Sequence, residues 1–348
     1  MLPALSPQQR NSMPRAALHG LLALAAAPLV VAALTACGTT PQTTLEPTTE
    51  SARRSLWLLQ FVFWAAVAVF VVVEGALVYI LIRYRRRRGD GLPAQTHGHT
   101  RLEIAWTIAP AILIAVVAVL TVPKIFDDAQ AAKPGDLTIQ ATGHQWWFEF
   151  VYPDLGVVTA NELHMPVNTS TEIQLQSKDV LHSFWVPRLR GKLDMVPGRT
   201  NKFVIRPEVV GTFQGQCAEF CGTAHALMKF TVVVESQADF DAWVQRQLDD
   251  RTQPASELAR TGETLLASGG CVACHTIRGT DAQGTIGPDL THVGGRSHIA
   301  SGVLPNTTDG LRQWLQDPQA VKPGNRMVIP SLTEDQIDAL VAYLQGLT

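Results

Sequence analysis

Two long apolar stretches dominate the amino-terminal third of the chain. Residues 56–82 contain only Gln60 and Glu74 as strongly polar positions, and residues 104–122 contain no charged side chain. A helix of about 20 apolar residues is long enough to cross the hydrocarbon layer of a bilayer. The pattern therefore predicts a transmembrane hairpin over 56–122, with 56–82 and 104–122 as its two helices.

The loop between these stretches, 83–103, is strongly basic. It contains six arginines, and Asp90 is the only acid that precedes Glu103. Basic residues collect in loops on the cytoplasmic side of a membrane. We therefore expect this loop to be cytoplasmic and both flanking segments to lie outside.

The pattern changes to short strand-like runs between about residues 136 and 235. Turn residues separate runs rich in β-branched and aromatic side chains, at 137–141, 146–151, 171–175, 203–205 and 229–234. Such spacing is typical of a small antiparallel β-sandwich or barrel. Apolar residues at helical spacing then predict an amphipathic helix, and they are Phe240, Trp243, Val244 and Leu248.

The last 90 residues favour helices. Thr333 and Gln336 have the spacing of a capping box and precede an apolar helix face made of Ile337, Leu340, Val341 and Leu344. Polar residues from about 251 to 258 separate this part from the β-rich part and predict a linker.

The amino terminus has the pattern of a secretory signal. Arg10 and Arg15 precede an apolar stretch at 21–34, and Cys37 follows it. The small residues before Cys37 resemble the lipobox of bacterial lipoproteins, which would make Cys37 a lipidated residue. A plain signal peptide with an incidental cysteine is the alternative. A Thr/Pro-rich linker, expected to be flexible, follows at 37–55.

Composition agrees with a membrane protein that does not bind nucleic acid. The chain has 348 residues, of which 46% are hydrophobic and 17% charged, and its formal net charge is -2. Its basic residues cluster only in one short loop, so no nucleic-acid partner is expected. The five cysteines form one isolated residue and two close pairs, which favour ligation or cofactor attachment over a disulfide framework.

The first cysteine pair belongs to a set of soft ligands. Cys217, Cys221, His225 and Met228 lie within twelve residues and offer two thiols, an imidazole and a thioether, which favour copper over hard cations. A further imidazole is needed, and His182 is the candidate. A disulfide, a zinc site or a thioredoxin-like copper chaperone would also use the cysteine pair. None of these accounts for the other ligands together with two membrane helices.

With Glu219 added, these six positions resemble the dinuclear copper (CuA) centre of cytochrome c oxidase subunit 2. The resemblance implies a cupredoxin-like domain in which two thiolates bridge two coppers, each imidazole binds one copper and the methionine completes one of them. It also implies that the Glu219 carbonyl completes the other copper. The Glu219 side chain would then help to hold magnesium at the junction with the catalytic subunit.

The resemblance covers roughly residues 56–235 and singles out two further positions. Trp146 resembles the electron entrance from a docked cytochrome, with buried packing as the alternative. Glu103 matches an acid at a proton-channel entrance, although an interfacial carboxylate would look the same. His164 and Met165, in contrast, are expected to have a packing role.

The second cysteine pair stands in the pattern Cys271-Val-Ala-Cys274-His275, which is the c-type haem attachment motif. The two thiols would form thioethers to the haem, and His275 would bind the iron. Met327 is the only methionine after Cys274 and is the expected sixth ligand.

Two histidines, His292 and His298, are alternatives to Met327 as the sixth ligand. The family usually has Met-Pro at this point, whereas here two residues separate Met327 from Pro330. Helical segment 259–348 resembles a class I cytochrome c, and its fusion to a copper domain resembles the caa3-type branch of bacterial oxidases.

These expectations give a multidomain membrane protein with a two-helix transmembrane hairpin, a cupredoxin-like β-sandwich or barrel and an all-α class I cytochrome c domain. The predicted division is signal peptide 1–36, linker 37–55, hairpin 56–122, copper domain 130–250, linker 251–258 and cytochrome c domain 259–348.

The resemblance implies the electron-entrance subunit of a terminal oxidase. Electrons from a soluble or membrane-bound cytochrome c, or another periplasmic donor, would pass through haem c and CuA to subunit 1, which reduces oxygen to water with proton pumping. Subunits 1 and 3 and membrane lipid are the expected partners, in the bacterial cytoplasmic (inner) membrane with both cofactor domains outside. A copper-delivery protein, a quinol oxidase subunit and a nitrous-oxide-reductase-like protein are the alternatives.

Overall fold

The computed structural model describes residues 41–85, 95, 97–129 and 131–348. The predicted signal peptide and Cys37 lie outside the described residues, as do three arginines of the basic loop. The described part contains two long apolar helices, a domain of ten strands and a carboxy-terminal group of helices.

The two long helices are α1, Glu50–Arg83, and α2, Thr100–Asp128. By length and composition both are able to cross a membrane. The start of α1 and the end of α2 are joined by the Arg54–Asp127 ion pair, with an N···O distance of 2.5 Å, and by a hydrogen bond of 2.8 Å from the Ser51 hydroxyl to the Asp128 carboxylate.

Helix α1 begins earlier than predicted, so the end of the predicted flexible linker 37–55 is ordered structure. The Thr49 side chain caps the helix by accepting a hydrogen bond from the Ala52 N–H. Thr48 and Thr49 are buried, and the Thr49 hydroxyl donates to the Leu189 carbonyl at 2.5 Å. Thr49 lies directly before the helix and supplies both its cap and a hydrogen bond to the β domain. The prediction of a flexible linker rested on Thr/Pro-rich composition alone and overlooked these contacts.

Ten strands form two five-stranded sheets, ordered β3-β2-β1-β5-β8 and β4-β10-β9-β6-β7. The strands are β1 Leu137–His144, β2 Trp147–Tyr152, β3 Val157–Ala160, β4 Glu162–Pro166, β5 Thr171–Ser177, β6 His182–Val186, β7 Arg190–Met195, β8 Asn201–Ile205, β9 Gly211–Cys217 and β10 Lys229–Glu235. The predicted sandwich is confirmed. The prediction of purely antiparallel strands was wrong, because β1 pairs with β5, and β4 with β10, in parallel.

Aromatic side chains from both sheets fill the space between them. The rings of Phe148 on β2 and Phe230 on β10 have centroids 4.7 Å apart, and those of Phe184 and Phe203 lie 5.7 Å apart. A Cβ added at Gly215 would stand 2.3 Å from the Phe230 ring, so only glycine fits there. This core makes the sandwich a rigid support for its loops.

Helix α3, Gln237–Leu248, packs on the sandwich through Phe240, Trp243 and Val244, as its spacing predicted. The fourth residue of the predicted face, Leu248, is exposed.

The remaining elements are α4 Glu257–Ser268, β11 His298–Ile299, β12 Leu304–Pro305, α5 Thr308–Gln316, α6 Pro318–Val321 and α7 Glu334–Gly346. The predicted capping box of Thr333 and Gln336 is confirmed at the start of α7. Helix α4 crosses α7 at Gly262, where an added Cβ would stand 2.0 Å from the Ala339 carbonyl oxygen.

The predicted linker 251–258 is partly bonded to the helical domain. The Arg251 guanidinium pairs with Glu263 at 2.5 Å, and the Arg251 N–H donates to the Arg278 carbonyl. The Thr252 hydroxyl donates to the Thr348 carbonyl at 3.0 Å. These contacts hold the first residues of the linker on the domain that follows it.

Candidate metal and cofactor sites

The predicted copper ligands converge at one end of the second sheet. His182 begins β6, and Cys217 ends the neighbouring strand β9. Cys221 lies in the following loop, His225 begins a 3-10 turn, and Met228 ends that turn directly before β10. His182 is distant along the chain from the motif 217–228, and the neighbouring positions of β6 and β9 bring it next to the other predicted ligands.

The thiols lie at the centre of this cluster. The Cys217 and Cys221 sulfurs are 3.7 Å apart, and both cysteines are free. A disulfide requires about 2.05 Å between the sulfurs, so the structure does not contain that alternative.

Each thiol has an imidazole neighbour. The His182 Nδ1 lies 3.9 Å from the Cys217 sulfur, and the His225 Nδ1 lies 3.5 Å from the Cys221 sulfur. The Met228 sulfur is 3.8 Å from Cys221. Two central thiols with an imidazole on each side form a soft donor set whose arrangement fits two copper ions.

The second predicted site is a cleft of about 270 Å³. Cys271, Cys274 and His275 of the haem attachment motif line it together with Met327. The other walls are largely apolar and include Ile286, Leu290, Val293, Ile299, Leu311 and Leu315. Residues of the β domain, among them Trp146, complete the cleft.

The environment of His275 suits an iron ligand. Its Nδ1 lies 2.7 Å from the Pro288 carbonyl oxygen, which fixes the proton on Nδ1 and leaves the Nε2 lone pair free. Burial lowers the pKa of His275, which favours the neutral ring. A Cβ at Gly287 would stand 2.6 Å from the imidazole, and glycine therefore leaves room for the ring.

Comparison with known proteins now adds to this geometry. Three family models match, described as cytochrome c oxidase subunit II transmembrane domain over 42–123, its periplasmic domain over 156–237, and cytochrome c over 259–348. Cytochrome c oxidase subunit 2 of Alkalihalophilus pseudofirmus is 40% identical over 286 residues, covering 80% of this chain and 83% of the relative. This chain belongs to the cytochrome c oxidase subunit 2 family.

A second relative agrees with this assignment, and one solved structure shows a partial likeness. Cytochrome c oxidase subunit 2 of Bacillus subtilis is 34% identical over 348 residues, covering 94% of this chain and 97% of the relative. The solved periplasmic domain of subunit II of cytochrome oxidase from Bradyrhizobium japonicum covers 34% of this chain and 96% of that chain, with 33% identity and a TM-score of 0.33. A subunit 2 of this kind is a membrane-anchored part of an oxidoreductase complex, here with an added cytochrome c domain.

In this subunit 2, the backbone and side chain of Glu219 point to different partners. Its carbonyl oxygen lies 3.2 Å from the Cys217 sulfur. Its carboxylate is paired with the Lys192 ammonium at 3.0 Å on the surface. The carbonyl therefore belongs to the thiol cluster, whereas the carboxylate is available to an interface.

Two positions that the sequence reasoning missed support His182. The Asp179 carboxylate lies 2.8 Å from the His182 Nε2, which directs Nδ1 towards Cys217. A Cβ at Gly143 would stand 2.7 Å from the imidazole. Asp179 stands three residues before the histidine, and that spacing was the signal available in the sequence.

The thiols are prepared for metal binding. The hydrogen bond between the Cys217 and Cys221 thiols lowers the pKa of Cys217 in spite of burial, and hydrogen bonds with His182 and with the Glu219 backbone lower it further. One thiolate therefore forms readily, and thiolates are the form that binds metals.

Trp146 lies between the two candidate sites. It is 9% exposed, and its indole N–H donates to the Cys221 carbonyl at 2.9 Å. The Gln145 amide donates to the same carbonyl at 2.8 Å. The same tryptophan lines the haem cleft. It is therefore buried, and it also contacts both sites.

The candidates for the sixth haem ligand differ in their surroundings. Met327 lines the cleft, and its N–H donates to the Asn325 side-chain oxygen at 2.7 Å. His298 also lines the cleft and pairs with the Ser297 hydroxyl at 3.0 Å. His292 is engaged elsewhere, with its Nε2 2.9 Å from the Arg278 guanidinium.

The remaining sequence candidates lie apart from both sites. Glu103 is exposed in the first turn of α2, at the end remote from the β domain, and accepts a hydrogen bond from the His99 N–H at 3.0 Å. Glu74 is exposed within α1. The expected packing role of His164 is confirmed, because its ring stacks on Trp243 with centroids 4.2 Å apart. Met165 is also buried.

Proposed function

We propose that this chain is the electron-entrance subunit 2 of a terminal oxidase that passes electrons from a covalent haem c to a dinuclear copper centre and on to subunit 1. The observation that carries the proposal is the position of Trp146. Its indole is hydrogen-bonded to the backbone of Cys221 and lines the cleft of the haem motif. One side chain thus connects the two candidate cofactor sites.

Six residues would hold the copper pair. The Cys217 and Cys221 thiolates and the His182 and His225 imidazoles would supply the sulfur and nitrogen ligands. The Met228 sulfur and the Glu219 carbonyl would complete the set. When bound, the copper pair would supply a one-electron centre whose ligands move little on reduction. The β-sandwich keeps these donors in fixed positions, as a redox site requires.

Four residues would hold the haem. Cys271 and Cys274 would form the thioethers, while His275 and Met327 would bind the iron. When bound, haem c supplies a one-electron centre beside Trp146. The Pro288 carbonyl orients His275, and Asn325 holds the backbone at Met327.

The proposal extends to several features outside these two sites. The exported side of the bacterial cytoplasmic membrane holds both cofactor domains, and a periplasmic cytochrome c or similar donor delivers the electrons. Subunits 1 and 3 are partners, and subunit 1 reduces oxygen with proton pumping. Glu103 serves as a proton-channel entrance, the Glu219 carboxylate helps to bind magnesium, and Cys37 is lipidated after removal of a signal peptide.

We retain the predicted divisions at 130–250 and 259–348 for the copper and cytochrome c domains, joined through 251–258. The hairpin, predicted at 56–122, would use the apolar centres of α1 and α2.

Metal and haem content of the purified membrane complex tests the proposal. We expect two coppers and one covalent haem c for each copy of this chain, with the purple absorbance of a two-copper centre. A copper-delivery protein would instead exchange its metal with a chelator. A single zinc, or a Cys217–Cys221 disulfide, would contradict the proposal.

The haem ligand is tested by Met327→Ala. Loss of the thioether should open the iron to carbon monoxide, which would appear as a new absorbance shift in the reduced protein. His298→Ala is the matched control, and it should leave the spectrum unchanged. A carbon monoxide response in the His298 variant alone would transfer the ligand role to that histidine.

A further inference from the structure

The contact between the β domain and the haem domain buries a lysine. Lys322 is the only lysine in the segment 259–348. It is 3% exposed, and its Nζ donates to the Trp146 carbonyl at 2.6 Å and to the Ala300 carbonyl at 3.3 Å. No ion pair links it to a carboxylate within the described part of the chain. Burial of an amine without a counter-charge costs free energy, and here it joins two domains through backbone carbonyls.

The loop that supplies the Ala300 carbonyl has an unusual backbone. Ala300 and Ser301 have φ values of 53° and 65°, followed by Gly302 at 76°. Residues other than glycine seldom adopt this left-handed conformation, because it is sterically costly. The strain therefore falls on the loop segment that meets Lys322.

The same loop is bonded to the β domain at two more points. The Ser297 N–H and hydroxyl both donate to the Glu162 carboxylate, at 3.0 Å and 2.7 Å. The Ser301 hydroxyl donates to the Lys229 carbonyl at 3.1 Å, and the Lys229 N–H donates to the Ser301 carbonyl. These bonds offset the strain and fix loop 297–302 on the edge of the sandwich.

Lys322 also begins the segment that covers Trp146 and carries the expected haem ligand. A Cβ at Gly324 would stand 3.5 Å from the Trp146 Cη2 and 3.2 Å from the Thr223 Cβ, so the segment lies close against the copper loop. Met327 follows three residues later and lines the haem cleft. One short segment therefore contacts the tryptophan at its start and the cleft at its end.

We infer that Lys322 is a positioning residue that binds the Trp146 carbonyl to loop 297–302 and so holds the haem domain in one docked orientation over the tryptophan. In this orientation Trp146 is closed to a separate donor protein, and external electrons must reach the haem first. The role in electron delivery rests on the proposed function. The docking itself does not, because it depends only on contacts within this chain.

Hydrogen exchange in the purified complex tests the docking. Lys322→Met removes the donor and keeps an apolar side chain of similar length. We expect amide exchange at 143–147 and 297–302 to become about tenfold faster, which is the order of effect that the loss of one buried hydrogen bond produces. Lys322→Arg should restore slow exchange. Arg260→Met is the matched control, because Arg260 is an exposed cation that pairs with Glu257 inside α4.

Electron transfer gives the second readout. After rapid reduction of the haem by a small photoreductant, transfer to copper should be slower in Lys322→Met, with the haem potential and the copper spectrum unchanged. Unchanged exchange in Lys322→Met, or an equal increase in Arg260→Met, would overturn the inference. If the wild-type complex lacks copper, the proposed function fails while the exchange result still decides the docking.

A second variant covers the case in which Lys322→Met does not assemble. Ser301→Ala removes one hydroxyl bond from the same loop and should accelerate exchange at 297–302 alone. Unaltered exchange there would count against the loop as a docking contact, and the inference would then be abandoned.

Discussion

The copper region and the haem region position their ligands in different ways. In the copper region, sulfur and nitrogen atoms lie 3.5–3.9 Å from their neighbours at the end of a sandwich with its own aromatic core. In the haem region, the ligands stand on the walls of a cleft of about 270 Å³ that the helices surround. The aromatic side chains that fill the space between the two sheets are not proposed copper ligands, whereas the core residues Leu311, Leu315 and Leu344 of the helical domain also line the proposed haem cleft. We therefore expect the two domains to respond differently to cofactor loss.

The largest expected effect is the loss of covalent haem. In Cys271→Ala/Cys274→Ala, the helical domain should lose on the order of 5 kcal/mol, which is comparable to the whole stability of a small domain. Calorimetry of the complex should show its transition disappear or fall sharply. Cys217→Ala/Cys221→Ala removes the two central thiols of the proposed copper site and is the matched comparison, which should leave the sandwich transition in place. Equal loss in both treatments would refute the distinction.

A substitution in the sandwich core should destabilise the β domain and leave the helical domain unaffected. Phe230→Ala removes a buried ring that contacts Phe148 and Phe184, and should lower the free energy of unfolding of the β domain by about 3–5 kcal/mol. The haem absorbance should persist to its usual temperature. Phe220→Ala provides the control, since that ring is 76% exposed and should have little effect. A large effect at Phe220 would show that the loop between Cys217 and Met228 itself contributes to the free energy of unfolding.

Acid should loosen the junction of the two regions. Burial opposes ionisation of Glu162, but hydrogen bonds from His164 and Ser297 outweigh it and lower the pKa of Glu162 to about 2. The folded value lies below the ordinary value of 4.5, so the stabilisation is complete above pH 4.5 and is lost as pH falls towards 2. The contribution is about 3 kcal/mol, to order of magnitude.

Denaturant titrations at pH 6 and pH 3 check this prediction. Glu162→Gln should lower stability at pH 6 and flatten the decline between the two pH values. A decline as steep in the variant as in the wild type would assign the acid sensitivity to other carboxylates.

The smallest expected effect concerns a helix end that holds no proposed ligand. Thr333→Ala removes the capping box of α7 and should cost the haem domain about 1 kcal/mol. Thr333→Ser retains the hydroxyl and should be nearly neutral. Thermal unfolding followed by helix circular dichroism measures both. No difference between the two variants would show that the cap contributes nothing in this context.

Features carried by local pattern could be predicted from the sequence. The apolar stretches gave both long helices, and the capping box gave the start of α7. The motif from Cys217 to Met228 could also be recognised from its spacing, because its residues lie between the end of β9 and the start of β10. Each of these signals is contained in a short window of the chain.

Features that depend on contacts between segments far apart in the sequence could not be predicted from a short window of the chain. The parallel pairing of β1 with β5 joins strands separated by three others, and no local spacing records it. Asp179 and Gly143 support His182 only through the fold. The burial of Lys322 depends on contact between two domains. In the sequence alone, a lysine next to a proline is typical of an exposed loop.

Time-resolved electron transfer in the purified complex can follow both proposed cofactors at once. After rapid reduction of haem c, we expect haem reoxidation and copper reduction to proceed at one rate. Met228→Ala should slow this shared step, while the β domain stays folded and the donor reduces the haem as before. Haem reoxidation with no accompanying change at copper, or an unchanged rate in Met228→Ala, would show that electrons do not pass from the haem to this copper site.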